Sequence, residues 1–391
     1  MRLLLFAATL AFFILFAGCD GDGPEASSEG EVTLPITVPE GFSVEVYADN
    51  LELPTSLAFA PDGSGRLFVN ELQTGRIRIV TEDGPLAEPF AEIATHVSGG
   101  FPVAGENGLL GLAFDPDFRD NGYVYVTYAV RQPDGKHLGA VARFTDAGNR
   151  GEDFTLLLDS IPAAPGHQIQ SLAFGPDGKL YVSVGDAYHA ELVSDPFEPL
   201  GKILRMNPDG TIPADNPFPG SRTYALGVRN SFDLAFDDDG RLYAADNGPS
   251  QNDEFNRIEA GGHLGWPAYL GPSGFPDFID PLFTWTEIVS PDGMAFYHGT
   301  QFPASYRGKL FIVLFGDTFA PGPSPRAKRL QTVDLSTGGA PVLEDFAVYR
   351  MPGIGNPLDV TEGPDGSLYF TDIFQGRIYR IRYEKAAAPG S

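Results

Sequence analysis

Apolar and polar positions alternate along this chain in short runs, and one phrase closes six of them. Leu57-Ala-Phe-Ala-Pro-Asp-Gly63, Leu112-Ala-Phe-Asp-Pro-Asp117, Leu172-Ala-Phe-Gly-Pro-Asp-Gly178, Leu234-Ala-Phe-Asp-Asp-Asp-Gly240, Met294-Ala-Phe296 and Val360-Thr-Glu-Gly-Pro-Asp-Gly366 recur, most of them followed by a Leu-Tyr-Val-like run. Pro presets φ at the second turn position and Gly tolerates positive φ, while the flanking runs are β-branched and aromatic, so each copy predicts a β-hairpin. Successive copies start roughly 55 to 65 residues apart, longer than a compact four-stranded blade and with room for inter-strand loops. The pattern predicts an all-β fold, a six-bladed β-propeller over residues 34–384. A propeller hides its sheet edges by closing the ring, and the alternating stretch Phe42-Ser-Val-Glu-Val-Tyr47 is a candidate outer strand for the last blade, beside Arg377-Ile-Tyr-Arg-Ile-Arg382.

Composition changes this picture little. With 391 residues, 42% hydrophobic, 47 Gly and 34 Pro, the chain has ample core and many turns and no long helical pattern. A formal net charge of −26 argues against nucleic acid and against electrostatic binding to anionic lipid, and is read as solubility.

The first eighteen residues form a different object. Arg2 precedes an apolar stretch from Leu3 to Phe16, short for a membrane span and suited to a secretory signal, residues 1–18. It ends in Leu15-Phe-Ala-Gly-Cys19, which resembles the lipobox of bacterial lipoproteins, and Cys19 is the only cysteine, so no intramolecular disulfide is available. The expectation is a lipid on Cys19, a flexible acidic tether over 19–33, and a propeller held at a membrane on the periplasmic or cell-surface side. Residues 385–391 are expected to be a disordered tail.

Six histidines, His96, His137, His167, His189, His263 and His298, show no HxH or HExxH spacing, and no GxSxG, GxGxxG or GxxxxGKS signature appears in its usual setting. Chemistry is therefore expected in loops at the propeller mouth, where side chains from several blades converge. Read alone, His167 after Pro165-Gly166 is a turn or surface residue, Arg229-Asn230 a salt bridge and an Asx turn, and Asp253-Glu254 a solvated acidic pair.

Several segments change those readings together. Glu106-Asn-Gly-Leu-Leu-Gly111, His167 ahead of the third repeat, Leu200-Gly-Lys-Ile-Leu-Arg-Met-Asn-Pro-Asp-Gly210, Leu226-Gly-Val-Arg-Asn230, Asn247-Gly-Pro249, Asp253-Glu-Phe-Asn256 and Gly265-Trp-Pro267 stand in an order that resembles the glucose/sorbosone dehydrogenase family from about Leu34 to Arg382. The resemblance implies pyrroloquinoline quinone over the central channel, calcium on the quinone, an aldose as hydride donor and an external electron acceptor. It implies that His167 takes the proton from the sugar C1 hydroxyl, that Arg229 polarises the quinone carbonyl, and that Glu106 and Asn230 contact the cofactor. Backbone carbonyls of Gly248 and Pro249 match the quinone-bound calcium, and Glu254 with the carbonyl of Leu264 matches a second, structural ion.

Departures accompany the matches. The family's Gly-Gly-Arg or Ser-Gly-Arg after the histidine reads Gln168-Ile-Gln-Ser171, and Glu106 replaces a glutamine. A lysine and an Arg-x-Arg-Asp turn that hold the quinone carboxylates correspond to Leu314-Phe-Gly-Asp317 and Asn356-Pro-Leu-Asp359. Three carboxylates without cations are costly to bury, so Arg326, Lys328 and Arg329 on the insertion after the fifth repeat are candidate replacements. The alternative is a calcium-binding, non-catalytic propeller lipoprotein serving as a carbohydrate-binding or interaction module; a calcium-dependent lactonase is a more distant reading. Tyr188, Trp285 and Tyr297 are candidate sugar-facing aromatics.

Overall fold

The computed structural model describes residues 34–101, 105–316, 328–350 and 355–384. The signal stretch 1–18, Cys19, the tether 19–33, Arg326 and the tail 385–391 lie outside the described residues.

Six antiparallel sheets form a six-bladed β-propeller. The innermost strands are Pro54–Phe59, Leu109–Phe114, Ile169–Phe174, Ser231–Phe236, Pro291–Phe296 and Pro357–Glu362, and each touches its two neighbours around the ring, the sixth touching the first. Every repeat of the sequence falls at the end of an inner strand and in the turn to the second strand. The repeated apolar positions fill the seams. Phe68, Ile77, Leu109 and Val126 pack between blades 1 and 2, and Phe311, Val313, Phe370 and Tyr379 between blades 5 and 6, all of them buried.

Phe42–Ala48 pairs antiparallel with Arg377–Tyr383, from Phe42 opposite Tyr383 to Ala48 opposite Ile378, so the N-terminal strand completes blade 6 as the alternation predicted. A further pair, Ile36–Thr37, adds to the edge of blade 5 opposite Tyr349 and Val348. One segment thus laces two blades together. Phe42 is the rivet, its ring edge-on to Phe302, Tyr306, Phe346 and Tyr383.

All six inner strands break register with the second strand just before the repeat, for example between Leu109 and Leu112, Ser231 and Asp233, and Pro357 and Val360. A bulge re-aims side chains. Here it turns two consecutive residues per blade to the axis: Thr55-Ser56, Leu110-Gly111, Gln170-Ser171, Phe232-Asp233, Asp292-Gly293 and Leu358-Asp359 enclose a void of about 40 Å³, room for a water molecule or two.

Candidate active site

Inner strands begin, and second strands end, at the same face of the ring, and the candidate side chains enter there. His167 stands just ahead of the inner strand of blade 3, and Arg229-Asn230 directly ahead of that of blade 4. His167, Ala187 and Tyr188 have φ of 56°, 46° and 65°, a left-handed backbone that costs non-glycine residues about 1 kcal/mol or more each. The surrounding hydrogen bonds hold it: Ala187 N–H donates to the His167 carbonyl at 2.7 Å, and Asp186 N–H to the Arg229 carbonyl at 2.8 Å. Gly185 is required by close approach, since a Cβ there would lie 2.5 Å from the His167 carbonyl oxygen.

The imidazole is oriented by a carboxylate. His167 Nδ1 lies 2.8 Å from Asp186 Oδ1, which also accepts the Tyr188 N–H at 2.9 Å, while Asp186 Oδ2 accepts the Trp266 indole N–H at 2.9 Å. Burial pushes the Asp186 carboxyl up, but these bonds, led by that of His167, outweigh it and hold it below the ordinary range. Asp186 stays ionised. An anion at Nδ1 selects the tautomer with its proton there, so Nε2 is the nitrogen able to accept one. The Tyr188 ring, 60% exposed, lies 4.4 Å from that of His167.

Blade 4 adds the cation. Asp246 accepts the backbone N–H of Arg229 at 2.9 Å and of Asn230 at 2.6 Å, fixing the turn that projects both side chains. Burial raises Asp246 to about 6 against those bonds. The Arg229 guanidinium donates to the carbonyls of Asn247 and Gly248 and stands 5.5 Å from the Trp266 ring. Glu106 accepts the His167 N–H at 2.8 Å and Gln170 Nε2 at 3.2 Å, and Gln170 also donates to Asn230 Oδ1 at 3.3 Å. The structure therefore brings Glu106, His167 and Asn230 together through Gln170, with Arg229 adjoining Asn230.

The calcium candidates are placed less simply. The Gly248 carbonyl accepts from Arg229, and Pro249 is exposed. Glu254, raised by burial and by Asp246 to about 7, accepts Gly271 N–H and Asn256 Nδ2, and the Leu264 N–H is held by the Leu226 carbonyl. Beside Glu254, Asn256 Oδ1 and Thr284 Oγ1 are buried without a hydrogen-bond partner. An acid with two orphaned oxygens on one sheet face is a donor set that a hard cation suits, although no group of three or more His, Cys, Asp or Glu among the described residues is placed to hold a metal ion.

Two sugar-facing expectations are corrected. Trp285 lies on the outermost strand of blade 4 with its indole N–H on Gln331, and Tyr297 follows the end of an inner strand, so it lies at the opposite face and donates to the Gly366 carbonyl. Tyr188 and Trp266 are the aromatics at His167. Lys328, a candidate cation for the quinone carboxylates, is 2% exposed, 6.0 Å from the Phe315 ring, with its charge acting on Asp372; Arg329, another candidate, pairs with Asp345 on the outer sheet.

Beside Glu106 the mouth opens into a cavity of about 400 Å³ with a mainly apolar wall. Leu72, Leu110, Phe315 and Ile373, with Leu53 and Leu358, form a hydrophobic cluster there, and Phe232 and Phe374 complete the wall. Among the described residues its charged members are Glu106 and Asp292, both raised by burial, Asp292 well above the ordinary range.

Asp186, Trp266 and the axial pairs were missed from sequence. A signal existed for the pairs, which are the two residues preceding each repeat; Asp186 carried only a Gly-Asp after a repeated strand.

Residues 51–380 match the family described as Glucose / Sorbosone dehydrogenase. The chain is 35% identical over 267 residues to quinoprotein glucose dehydrogenase B of Acinetobacter calcoaceticus, covering 59% of this chain and only 54% of that protein. It is 29% identical over 370 residues to aldose sugar dehydrogenase YliI of Escherichia coli K12, covering 88% and 93%. The structure of the PQQ-bound aldose sugar dehydrogenase of Streptomyces coelicolor superposes with a TM-score of 0.72 at 28% identity, covering 88% of this chain and 99% of that one.

Proposed function

This chain belongs to the glucose/sorbosone dehydrogenase family, and we propose that it oxidises an aldose or related sugar at the anomeric carbon to a lactone. The family and its named relatives are oxidoreductases acting on sugars. The observation that carries the reading is the His167–Asp186 pair. With Nδ1 committed to Asp186, Nε2 takes the C1 hydroxyl proton as the C1 hydrogen departs with its electron pair, and Asp186 stabilises the imidazolium that results. Arg229 supplies a fixed positive charge where negative charge accumulates on the acceptor.

The relatives' names add pyrroloquinoline quinone, a flat tricarboxylate. His167, Arg229 and Asn230 suit its quinone edge, but the described residues do not suit its carboxylates. The adjoining wall is apolar, its charged members are two acids, Lys328 stands with Asp372 and Arg229 with backbone carbonyls. Burying anions there is unfavourable. Calcium is better served: Glu254, Asn256 and Thr284 would hold a cation that ties the blade 4 loop. Export, a lipid on Cys19 and delivery of the electrons to an external acceptor complete the proposal, supported by Leu15-Phe-Ala-Gly-Cys19.

The test is aldose-dependent reduction of a two-electron dye by the full chain with calcium, assayed with and without added quinones. Reduction that collapses in His167→Ala is the expected result. Calcium and sugar binding without any reduction would instead support a binding module.

A further inference from the structure

One half-buried side chain touches both the acid behind the base and the cation. The Trp266 indole N–H donates to Asp186 Oδ2 at 2.9 Å, while Asp186 Oδ1 faces His167 Nδ1, and the Arg229 guanidinium carbon stands 5.5 Å from the centre of the same indole. Blade 3 supplies the acid, the entry to blade 4 the arginine, and the loop between the third and outermost strands of blade 4, residues 259–282, the ring. That loop is built to place it. Leu226 N–H donates to the Gly262 carbonyl at 2.8 Å and the Leu226 carbonyl accepts Leu264 N–H at 2.9 Å, so the loop pairs with the strand that runs on into Arg229. His263 pins the turn: its Nδ1 accepts Gly265 N–H at 3.0 Å, and its Nε2 lies 2.9 Å from Ser194 Oγ of blade 3. Gly227 leaves room for this imidazole, since its φ is 74° and a Cβ there would clash with His263 Nδ1.

We propose that Trp266 is a positioning residue that ties the base to the cation: its N–H fixes the Asp186 carboxylate so that Oδ1 keeps the His167 proton on Nδ1, and its face holds the Arg229 guanidinium beside that pair. The catalytic consequence rests on the sugar-oxidising reading above; the tie itself rests on the geometry. A carboxylate with its second oxygen occupied shares its charge among its donors, so loss of the indole N–H concentrates that charge on the imidazolium. The base then keeps its proton to higher pH. A guanidinium is held more firmly over an indole than over an aliphatic side chain, because the ring face is negative. The other charged and titratable groups facing this cluster are Glu106, which accepts the His167 N–H, Tyr188 beside the imidazole, and Asp246, which holds the backbone of Arg229.

The chain has two tryptophans, so Trp285→Phe leaves Trp266 as the one indole of the full chain, and its fluorescence is read from about pH 5 to 8. Emission is expected to fall as His167 gains its proton, because an imidazolium quenches indole, and to stay level when His167→Gln is added. Asp246, raised to about 6 by burial, titrates over the same range, and the His167→Gln control separates it. Should Trp285→Phe fail to fold, the native chain serves, with Trp266→Phe as its blank. Level emission with His167 present, or the same fall without it, overturns the proposal whether or not any aldose is oxidised. In the aldose and dye assay, Trp266→Phe keeps a ring face and loses the N–H, and is expected to move the acidic limb of kcat up by about half to one pH unit. Trp266→Leu loses both contacts and is expected to lower kcat a further three- to tenfold, roughly, at every pH. Equal losses in the two variants with no displacement of the limb would make the role of Trp266 structural and overturn the proposal as well. No oxidation by the native chain removes the sugar reading, and the fluorescence result still decides the tie.

Discussion

Around one mouth, blades 3 and 4 present His167, Asp186, Arg229 and Asn230, each tied to a partner, whereas blades 5, 6 and 1 present Phe315, Leu358, Ile373 and Leu72 around open space. The scaffold beneath the two halves is the same. At the end of the second strand, Asp246 in blade 4 accepts the N–H of Asn230, and Asp372 in blade 6 accepts that of Asn356 at 3.1 Å. The residue before each asparagine makes the difference. It is Arg229 in blade 4 and Gly355 in blade 6, where φ is 69° and a Cβ would lie 2.0 Å from the Tyr349 ring, so no arginine can take that place. A repeated strand-capping acid builds the turn, and the neighbouring residue decides whether the turn carries charge.

The largest effects should follow from breaking the polar half. His167→Ala is expected to lower kcat for aldose oxidation by about 10²–10⁴, the usual contribution of a positioned base. Asp186→Asn should lower kcat less, shift its pH profile and leave KM nearly unchanged, because it alters the tautomer and not the sugar contacts. An equal rise in KM in both variants would mean that His167 binds sugar and does not accept its proton. Arg229→Met should cost about 10²-fold in kcat, as loss of one fixed donor to developing charge does elsewhere. Retained kcat there would transfer the electrostatic role to the apolar half.

Much of this contrast could be read from the chain, though unevenly. The blades and the closing strand followed from a repeat whose apolar positions are spaced by strand geometry, and the loss of cations near Phe315 and Asn356 was visible as absences in an otherwise matching order. Three things were not visible. Trp285 and Tyr297 looked like mouth aromatics because sequence does not say which strand of a blade lies outermost or which end of a strand faces the site. Lys328 looked like a candidate for the cofactor carboxylates because sequence does not show that it returns to the core beside Phe315 and Asp372. Asp186 lacked any motif, since its role arises from three donors, on His167, Tyr188 and Trp266, that only the fold assembles.

Below both halves the axial aspartates offer a smaller, pH-dependent effect. Asp233 accepts from Ser171 and from Met294 N–H, Asp359 from Ser56 and Leu57 N–H, and the void between also meets Asp292. Burial raises both Asp233 and Asp359, and the charge of Asp233 raises Asp359 further. The native state therefore holds protons that the unfolded chain releases. Stability from these groups is fully present below the ordinary carboxylate range and is lost as pH rises through their raised values, so Tm should fall between about pH 4 and 8. Asp359→Asn should flatten that slope, and an unchanged slope would show that other groups control it.

The smallest expected effect is on Tyr188, the exposed ring that separates the polar half from solvent. Its left-handed backbone is held by the same Asp186 that orients His167, so ring and base are positioned by one carboxylate. An exposed aromatic face beside a base is suited to stack a sugar ring, worth about 0.5–1.5 kcal/mol. Tyr188→Ala should then raise KM for aldoses about three- to tenfold with kcat within about twofold, and Tyr188→Phe should restore KM. A fall in kcat with unchanged KM would indicate instead that the ring acts through the His167 imidazole, 4.4 Å away, and would extend the catalytic half of the mouth outward to the loop of blade 3.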